Sequence, residues 1–260
     1  MMSEEHKIWL KKQKREQTFI IFSRWLLVLI FLGGWQLLAN YGLINTFIFS
    51  SPERIINTLI SLSNSGDLWH HIGITLQELI ISFGLGTILG ILIASLMWWF
   101  PRFAKIIDPY LTIINSLPKV ALGPIIIIWV GAGMGAIILM ALLISLIITI
   151  INVYNNFNST DVNKIRLLKT FGANKWQVFS KVIIPSNYLG IVSALKINIS
   201  MCLIGIIMGE LLVSRAGIGY LIMFGSQVFN LDLVITGVFI LGVISAGLYY
   251  IVSAIEKRLN

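Results

Sequence analysis

Ionisable side chains inside apolar stretches are the first candidates for chemistry in this 260-residue sequence. Lys119, Lys196 and Glu210 each lie within a long apolar run, and Glu78 lies directly before another. A charged group in such a position is stable only where it meets protein, water or the edge of the apolar layer. We therefore regard these residues as candidates for contact with a polar solute or for anchoring at a polar boundary.

The sequence lacks the residue sets that covalent catalysis or metal binding would need. It has no Gly-Lys dipeptide, and so no phosphate-binding loop of the ATPase type, and it has no His-Glu-x-x-His motif. The single cysteine, Cys202, excludes a disulfide framework, and His6, His70 and His71 are too scattered for a histidine-rich site. We therefore predict that the chain is not an enzyme, has no catalytic residues, and holds no metal and no cofactor.

The composition indicates an integral membrane protein. Hydrophobic residues make up 57% of the chain and charged residues 12%, with a mean hydropathy of +0.89, whereas a soluble domain has about 25% charged residues. Residues 79–100, 120–160 and 233–255 contain no Asp, Glu, Lys or Arg. Because about 18 apolar residues in a row can cross a bilayer as a helix, we predict an all-α fold embedded in the cell membrane.

The apolar pattern predicts about six transmembrane helices. We expect residues 1–18 to be a charged cytoplasmic segment and residues 19–259 to form a single transmembrane domain. A short amphipathic helix at the membrane interface is predicted over 52–64, because Ser51-Pro52 is a helix-start signal. The six spans are predicted at about 19–39, 72–99, 109–130, 135–153, 189–212 and 233–255.

The distribution of Lys and Arg predicts the topology. With the N-terminus inside, fourteen of the nineteen basic residues lie on the cytoplasmic side and two, Arg54 and Arg215, lie outside. An excess of basic residues marks the cytoplasmic side, so both termini are predicted to be cytoplasmic. This placement also explains the net charge of +8 without a nucleic-acid partner.

The segment over 154–186, called the basic loop below, is longer than a connection between two spans requires. It contains two predicted short helices, about 162–171 and 174–182, separated by Gly172, which is expected to be a helix C-cap with positive φ. Apolar and aromatic residues alternate with basic ones, so the loop either lies on the bilayer or docks to a protein. The five basic residues, Lys164, Arg166, Lys169, Lys175 and Lys181, either mark the cytoplasmic side or form ion pairs with a partner.

Three stretches of the sequence resemble the permease subunits of ABC importers, over roughly residues 50–255. Gly172 is followed after nine residues by Val-Ile-Ile-Pro185, which resembles the end of the family's loop motif, Glu-Ala-Ala, three residues, Gly, nine residues, Ile-x-Leu-Pro. Residues 117–131 are similar to the third span of the nitrate, sulfonate and taurine branch. Residues 217–222, which follow Glu210, are similar to the segment after that branch's fifth span.

The resemblance implies a type I ABC importer permease with two transmembrane subunits, expected here to be a homodimer. It also implies a cytoplasmic ATP-binding subunit that carries ATP and magnesium, and an extracytoplasmic substrate-binding protein. The family's acidic residue and two small residues are replaced here by Arg166-Leu167-Leu168. The residues that the resemblance assigns to the ATPase-coupling loop are Arg166, Leu167, Leu168, Phe171, Gly172, Ala173, Trp176 and Pro185. For Phe171 and Trp176, anchoring in the headgroup layer is the alternative.

The intramembrane residues have two interpretations each. Pro118, Lys119 and Pro124 either face a translocation pathway, where missing backbone donors are tolerated, or Lys119 extends to the inner surface. Lys196 and Glu210 lie about 21 Å apart on one face of the fifth span, and they either line the pathway or extend to opposite surfaces. Glu78 is predicted to be interfacial.

Glycine spacing predicts two further features. Gly86 with Gly90, and Gly205 with Gly209, are four positions apart and predict close helix contacts. The third pair, Gly217 and Gly219, lies in an uncharged stretch that is either a gate-like re-entrant turn or an ordinary extracellular loop.

A stand-alone secondary transporter or channel is the alternative function. It would need an ion relay within the membrane. The sequence offers few intramembrane carboxylates, Glu210 and at most Glu78, and it shows no inverted repeat. The sequence does not identify the transported solute.

Overall fold

The computed structural model describes residues 4–259, and this part of the chain is helical throughout, without a strand. A 3-10 turn at Lys119–Leu122 and a π-helical turn at Phe179–Ile183 complete the regular structure. The helices are α1 Glu4–Asn40, α2 Thr46–Phe49, α3 Pro52–Ser65, α4 Asp67–Trp99, α5 Pro101–Ser116, α6 Gly123–Val130, α7 Met134–Asn158, α8 Val162–Thr170, α9 Lys175–Val178, α10 Ile184–Ser186, α11 Tyr188–Val213, α12 Ile218–Gln227 and α13 Leu231–Leu259.

The centre of the bundle is formed by α4, α7 and α11, which touch along glycine faces. A Cβ atom added to Gly205 would lie 2.5 Å from the Ala141 Cα, and one added to Gly90 would lie 2.6 Å from the Thr149 side chain. Helices that lack a driving force from water associate through such close contacts. The predicted packing role of the glycine pairs at 86 and 90 and at 205 and 209 is confirmed.

Five helices of the described chain are long and apolar enough to cross a membrane, and a bent helix pair makes a sixth candidate. The five helical stretches are Lys12–Asn40, Asp67–Trp99, Met134–Asn158, Tyr188–Val213 and Leu231–Ala254, which agrees with the predicted spans apart from the third. The predicted fourth span ends too early, because α7 continues to Asn158. The first residues of the basic loop therefore belong to that helix.

The third apolar run is not the continuous span predicted at 109–130. It consists of α5, which begins at Pro101, and of the segment Lys119–Val130, and the two are bent by 88°. Leu117 has an extended backbone with ψ 144°, as expected for a residue that precedes a proline. Pro118 has no N–H to continue the helix. The prediction was wrong because it followed apolar length and did not let Pro118 end the helix.

The N-terminal helix is attached to the rest of the bundle near its end. Gln36 exchanges two hydrogen bonds with Glu53, accepting from its backbone N–H at 3.1 Å and donating to its carboxylate at 3.2 Å. The helix predicted over 52–64 is confirmed as α3, and Ser51 caps it by accepting from the Arg54 N–H at 3.3 Å. An ion pair of 2.7 Å between Arg54 and Asp232 joins α3 to α13.

Candidate functional site

The first half of the basic loop is a short helix with both ends capped. Asp161 accepts from the Asn163 N–H at 2.8 Å at the start of α8. At its end, Gly172 has φ +78° and donates to the Lys169 carbonyl, while Ala173 donates to the Leu168 carbonyl at 3.1 Å. This pair of bonds is the Schellman arrangement, which needs the left-handed backbone that glycine adopts freely. The predicted C-cap conformation of Gly172 is confirmed.

The second half of the loop begins with a capping box, and its helix then changes from an α-helical to a wider π-helical turn. The Asn174 side chain accepts from the Gln177 N–H at 2.9 Å, and the Gln177 side chain accepts from the Asn174 N–H at 2.8 Å. From Phe179 onward the backbone follows a π turn, in which Ile184 donates to the Phe179 carbonyl. Pro185 comes next, and its ring would clash with a carbonyl four residues earlier in a regular α-helix. The wider turn gives this ring room.

One face of the loop is packed against the ends of α4 and α7. The Phe179 ring is buried, with its centroid 5.0 Å from that of Trp98 and 5.7 Å from that of Phe157. Lys175 lies over the Trp98 and Trp99 rings at 5.7 and 5.3 Å and also donates to the Trp99 carbonyl. The loop is therefore attached to the last turn of α4 by rings and by one cation.

The other face of the loop is exposed, apolar and basic. Phe171 is 80% exposed, and Leu167 on α8 is exposed as well. Trp176 is 62% exposed and lies at the edge of this face, with its ring centroid 6.1 Å from that of Trp99. The basic side chains at 164, 166, 169 and 181 are exposed as well. A helix pair fixed by three caps, with large apolar side chains on its free face, has the form of a docking element.

The opposite end of the bundle contains a group of buried polar side chains that we call the polar socket: His71, Thr75 and Glu78 on α4, and Glu210 on α11. Its acceptors receive the first N–H groups of α12. Gly217 N–H donates to His71 Nδ1 at 2.9 Å, Ile218 N–H to Thr75 Oγ at 2.9 Å, and Gly219 N–H to Glu210 at 2.5 Å. Thr75 Oγ in turn donates to Glu210 at 2.6 Å.

The socket leaves no room for side chains on the turn that enters it. Gly217 has φ +107° and ψ 169°, a backbone that is essentially restricted to glycine. A Cβ atom added there would overlap the Glu210 carboxyl group, and one added to Gly219 would lie 2.7 Å from the Glu210 Cβ. Both glycines are buried. The turn is therefore packed within the subunit, and the choice between a gate-like turn and an extracellular loop stays a prediction.

The charged residues predicted to line a pathway have separate environments. Lys119, at the break between α5 and α6, donates to the Asn115 backbone and side-chain oxygens at 2.7 and 3.1 Å. Lys196 pairs with Glu256 of α13. Glu210 is 1% exposed within the bundle. Lys196 and Glu210 therefore do not form one open polar face, because each is engaged with other helices.

Sequence reasoning missed most of the polar socket. Glu78 is 2% exposed, so the prediction of an interfacial position was wrong. His71 and Thr75 were not singled out as site residues. A usable signal was their spacing, since positions 71, 75 and 78 lie on one face of a helix, directed at the centre of the bundle. Their partners at 210 and 217–219 are too distant in the sequence to be identified from spacing.

The fold and the capped basic loop define a polytopic membrane protein of the transport class. Residues 86–260 match the family described as "Binding-protein-dependent transport system inner membrane component". The chain belongs to this family, and it is a permease subunit of an ATP-driven, binding-protein-dependent importer of the cell membrane. The predicted family, all-α permease fold, function and localisation are confirmed, and the cytoplasmic placement of both termini stays a prediction. Permease subunits of this family are not themselves enzymes, and they work with an ATPase and a substrate-binding protein.

Several relatives cover nearly the whole chain. A "Probable ABC transporter permease protein" of Haemophilus influenzae is 30% identical, with 90% of this chain and 94% of the relative covered. The aliphatic sulfonates permease SsuC of Bacillus subtilis is 26% identical over 90% and 85% of the two chains. The taurine permease TauC of Escherichia coli is 23% identical over 89% and 86%.

The fold is shared with a solved importer. An inward-facing structure of the MetNI methionine ABC transporter matches with a TM-score of 0.64 and 19% identity, covering 72% of this chain and 93% of the matched chain. At this identity the likeness concerns the fold. It agrees with the predicted type I permease architecture.

Proposed function

We propose that the basic loop is the segment through which this subunit docks to its ATP-hydrolysing partner. The observation that carries the proposal is the exposed face of α8 and α9, where Leu167, Phe171 and Trp176 lie among basic side chains on a helix pair with three caps. Apolar side chains on a rigid frame bury area at an interface with little loss of conformational freedom. The loop end of the bundle is then the cytoplasmic end, as the predicted topology requires.

ATP and magnesium are proposed to be held by the partner, in keeping with the absence of a phosphate-binding loop from this sequence. Closure of the partner would move α8 and α9 together, because the Schellman cap and the capping box join them tightly. The motion would then reach the end of α4 through Lys175 and through the ring contacts of Phe179 with Trp98. Alternating access would follow from the resulting shift of α4 in the bundle.

The break between α5 and α6 supports a pathway shared with a second copy of this chain. Residues 117–121 have irregular or 3-10 backbone within an apolar run, and most of them are exposed on the single subunit. Backbone of this kind is tolerated at membrane depth only against protein or water. We therefore propose a homodimer in which Pro118, Lys119 and Pro124 lie beside a water-filled pathway.

Substrate would enter at the socket end from an extracytoplasmic binding protein. Relatives are named as permeases for aliphatic sulfonates, for taurine and for formylaminopyrimidine. We propose a small polar solute of similar size for this chain. A stand-alone transporter, the second candidate, would take up solute without an ATPase, and uptake that needs neither ATP nor a second subunit would establish it.

The docking proposal is tested with a double variant, Leu167→Ser with Phe171→Ser. We expect co-purification of the ATPase subunit to fall by about tenfold or more, since two exposed apolar anchors are lost. The matched control is Val228→Ser with Phe229→Ser at the socket end, where Phe229 is 73% exposed. Both double variants should insert into the membrane at the wild-type level. Equal ATPase recovery with the two would show that α8 is not the docking face.

A further inference from the structure

The carboxyl group of Glu78 is the unexplained part of the polar socket. It is buried on α4, and no hydrogen-bond donor among the described residues reaches it, leaving Oε2 without a partner. Its carboxyl group is within hydrogen-bonding range of the Glu210 carboxyl. A buried acid beside a second acid is costly if both are charged. The contact therefore needs either a nearby cation or a proton.

The surrounding groups offer no cation for this pair. His71 Nδ1 accepts the Gly217 N–H at 2.9 Å, so this nitrogen carries no proton and the ring is neutral. Arg215 lines the same cavity of about 400 Å³ as Glu78, but it is exposed and forms no ion pair in the described chain. The sequence of α7, Met134–Asn158, has no Asp, Glu, Lys, Arg or His, and its one titratable group, Tyr154, packs in the apolar cluster at the loop end of the helix. Other charged or titratable groups near this end include Glu53, Asp67, His70, Tyr220 and the paired Asp232 and Arg54.

The two carboxyl groups differ in the donors that they receive. Glu210 accepts the Thr75 hydroxyl at 2.6 Å and the Gly219 N–H at 2.5 Å, at the start of the ten-residue helix α12. Charge-assisted bonds and the positive end of a helix favour an ionised acceptor. Glu78 receives no donor from the described residues. The proton that the pair requires therefore belongs on Glu78.

We propose that Glu78 is a neutral carboxylic acid that donates its proton in a hydrogen bond to ionised Glu210, and that it is a positioning residue for α12. The Glu210 carboxylate then accepts from Thr75 and Glu78, both on α4, and from the Gly219 N–H of α12. Its charge is held at the N-terminus of α12, and α12 connects α11 to α13. Glu78 thereby orients the charged group that accepts the Gly219 N–H, two residues after Gly217.

The test compares isosteric variants by hydrogen exchange of the amides at 217–219 in the assembled permease–ATPase complex. Glu78→Gln keeps a donor to Glu210, so exchange should stay within about twofold of wild type. Glu78→Leu removes the donor and Glu210→Gln removes the charge, and each should speed exchange by about tenfold or more, because hydrogen bonds to charged groups are the strong ones. Gln77→Ala, an exposed neighbour in the same cavity, is the control without effect.

Infrared spectroscopy of the same complex gives a readout that folding alone would not change. The wild type minus Glu78→Gln difference at neutral pH should contain the carbonyl stretch of a protonated carboxylic acid. Absence of this band overturns the proposal, as does faster exchange in Glu78→Gln equal to that in Glu78→Leu. Slow exchange at 217–219 in Glu210→Gln together with fast exchange in Glu78→Gln would mean that Glu78 carries the charge and Glu210 the proton. That result would also overturn the proposal. Neither measurement requires transport, so failure here is separate from failure of the docking proposal.

Discussion

The basic loop and the polar socket each hold a short helix in place, but they do so through different contacts. Each fixes a short helix beside a glycine with positive φ, Gly172 at +78° and Gly217 at +107°. Around Gly172 an added Cβ would meet nothing within 4 Å, whereas around Gly217 it would meet Glu210. The loop is held on one side by rings and leaves its other face exposed. In the socket, the N–H groups at the start of α12 are taken up by buried acceptors on α4 and α11.

This difference separates two mechanical tasks. A helix pair with strong internal caps and an uncovered apolar face can move as a unit with a partner that covers it. A helix start whose N–H groups are taken up by side chains of the same subunit is fixed relative to that subunit. We infer that motion of the ATPase partner is transmitted to this subunit at the loop. At the other end of α4, the socket holds α12 fixed relative to α4.

The largest effect is expected from replacing the socket glycine. Gly217→Val places a side chain on a backbone that is restricted to glycine, and its Cβ would overlap Glu210. We therefore expect the free energy of unfolding to fall by about 3 kcal/mol or more, with a much lower thermal midpoint in detergent. Gly172→Val should cost about 1–2 kcal/mol for the left-handed backbone alone. It should nevertheless abolish ATPase-coupled uptake while insertion is preserved.

A third glycine controls for backbone strain in this experiment. Gly66 has φ +82° and, like Gly172, nothing within 4 Å of an added Cβ, but it lies between α3 and α4. Gly66→Val should lower the thermal midpoint as much as Gly172→Val does and leave coupled uptake largely intact. Normal uptake by Gly172→Val would remove the coupling role from this position.

An intermediate effect is expected from cutting the link between the loop and α4. Lys175→Met removes the cation over the Trp98 and Trp99 rings and the bond to the Trp99 carbonyl. We expect coupled uptake to fall several-fold at a stability cost of about 1 kcal/mol. Lys181→Met removes the same charge from an exposed position in the same loop and should leave uptake near wild type. If both variants lose uptake equally, the net charge of the loop and not this link is responsible.

The smallest effect is expected at the position where the loop departs from the family motif. Arg166 is exposed and makes no ion pair with any described residue. Arg166→Glu should therefore change stability by at most about 0.5 kcal/mol. ATPase binding should weaken by no more than about tenfold, as for an exposed ion pair. Lys164→Glu, on the same helix, is the control, and tighter ATPase binding by Arg166→Glu would show that the partner retains a groove for an acid.

The sequence was sufficient for features that depend on local chemistry. Apolar length located five of the six candidate spans, and the cap at Gly172 followed from its place between two amphipathic stretches. The helix break was also local, since Pro118 sets the backbone of Leu117, but the 88° direction of the bend depends on packing. The substrate pathway and the second copy stay predictions.

The socket could not be predicted because its members meet only in the folded chain. Thr75 and Glu210 are 135 positions apart, and His71 and Gly217 are 146 apart. Glu78 sits where an apolar run begins, which is also where a residue at the membrane surface would sit. Burial separates the two cases, and burial depends on how α4, α7 and α11 pack.

The π turn at Phe179–Ile183 has a consequence for orientation. An α-helix advances by about 100° per residue, and a π turn contains one extra residue, so the chain after the turn is rotated by about that angle relative to the chain before it. This offset lets Trp176 lie against Trp99 while Ile183 is directed into the bundle. The interval from Gly172 to Pro185 therefore sets an angle as well as a length, and we expect the loss of one residue from it to rotate the proposed docking face of α8 and α9 by a similar angle.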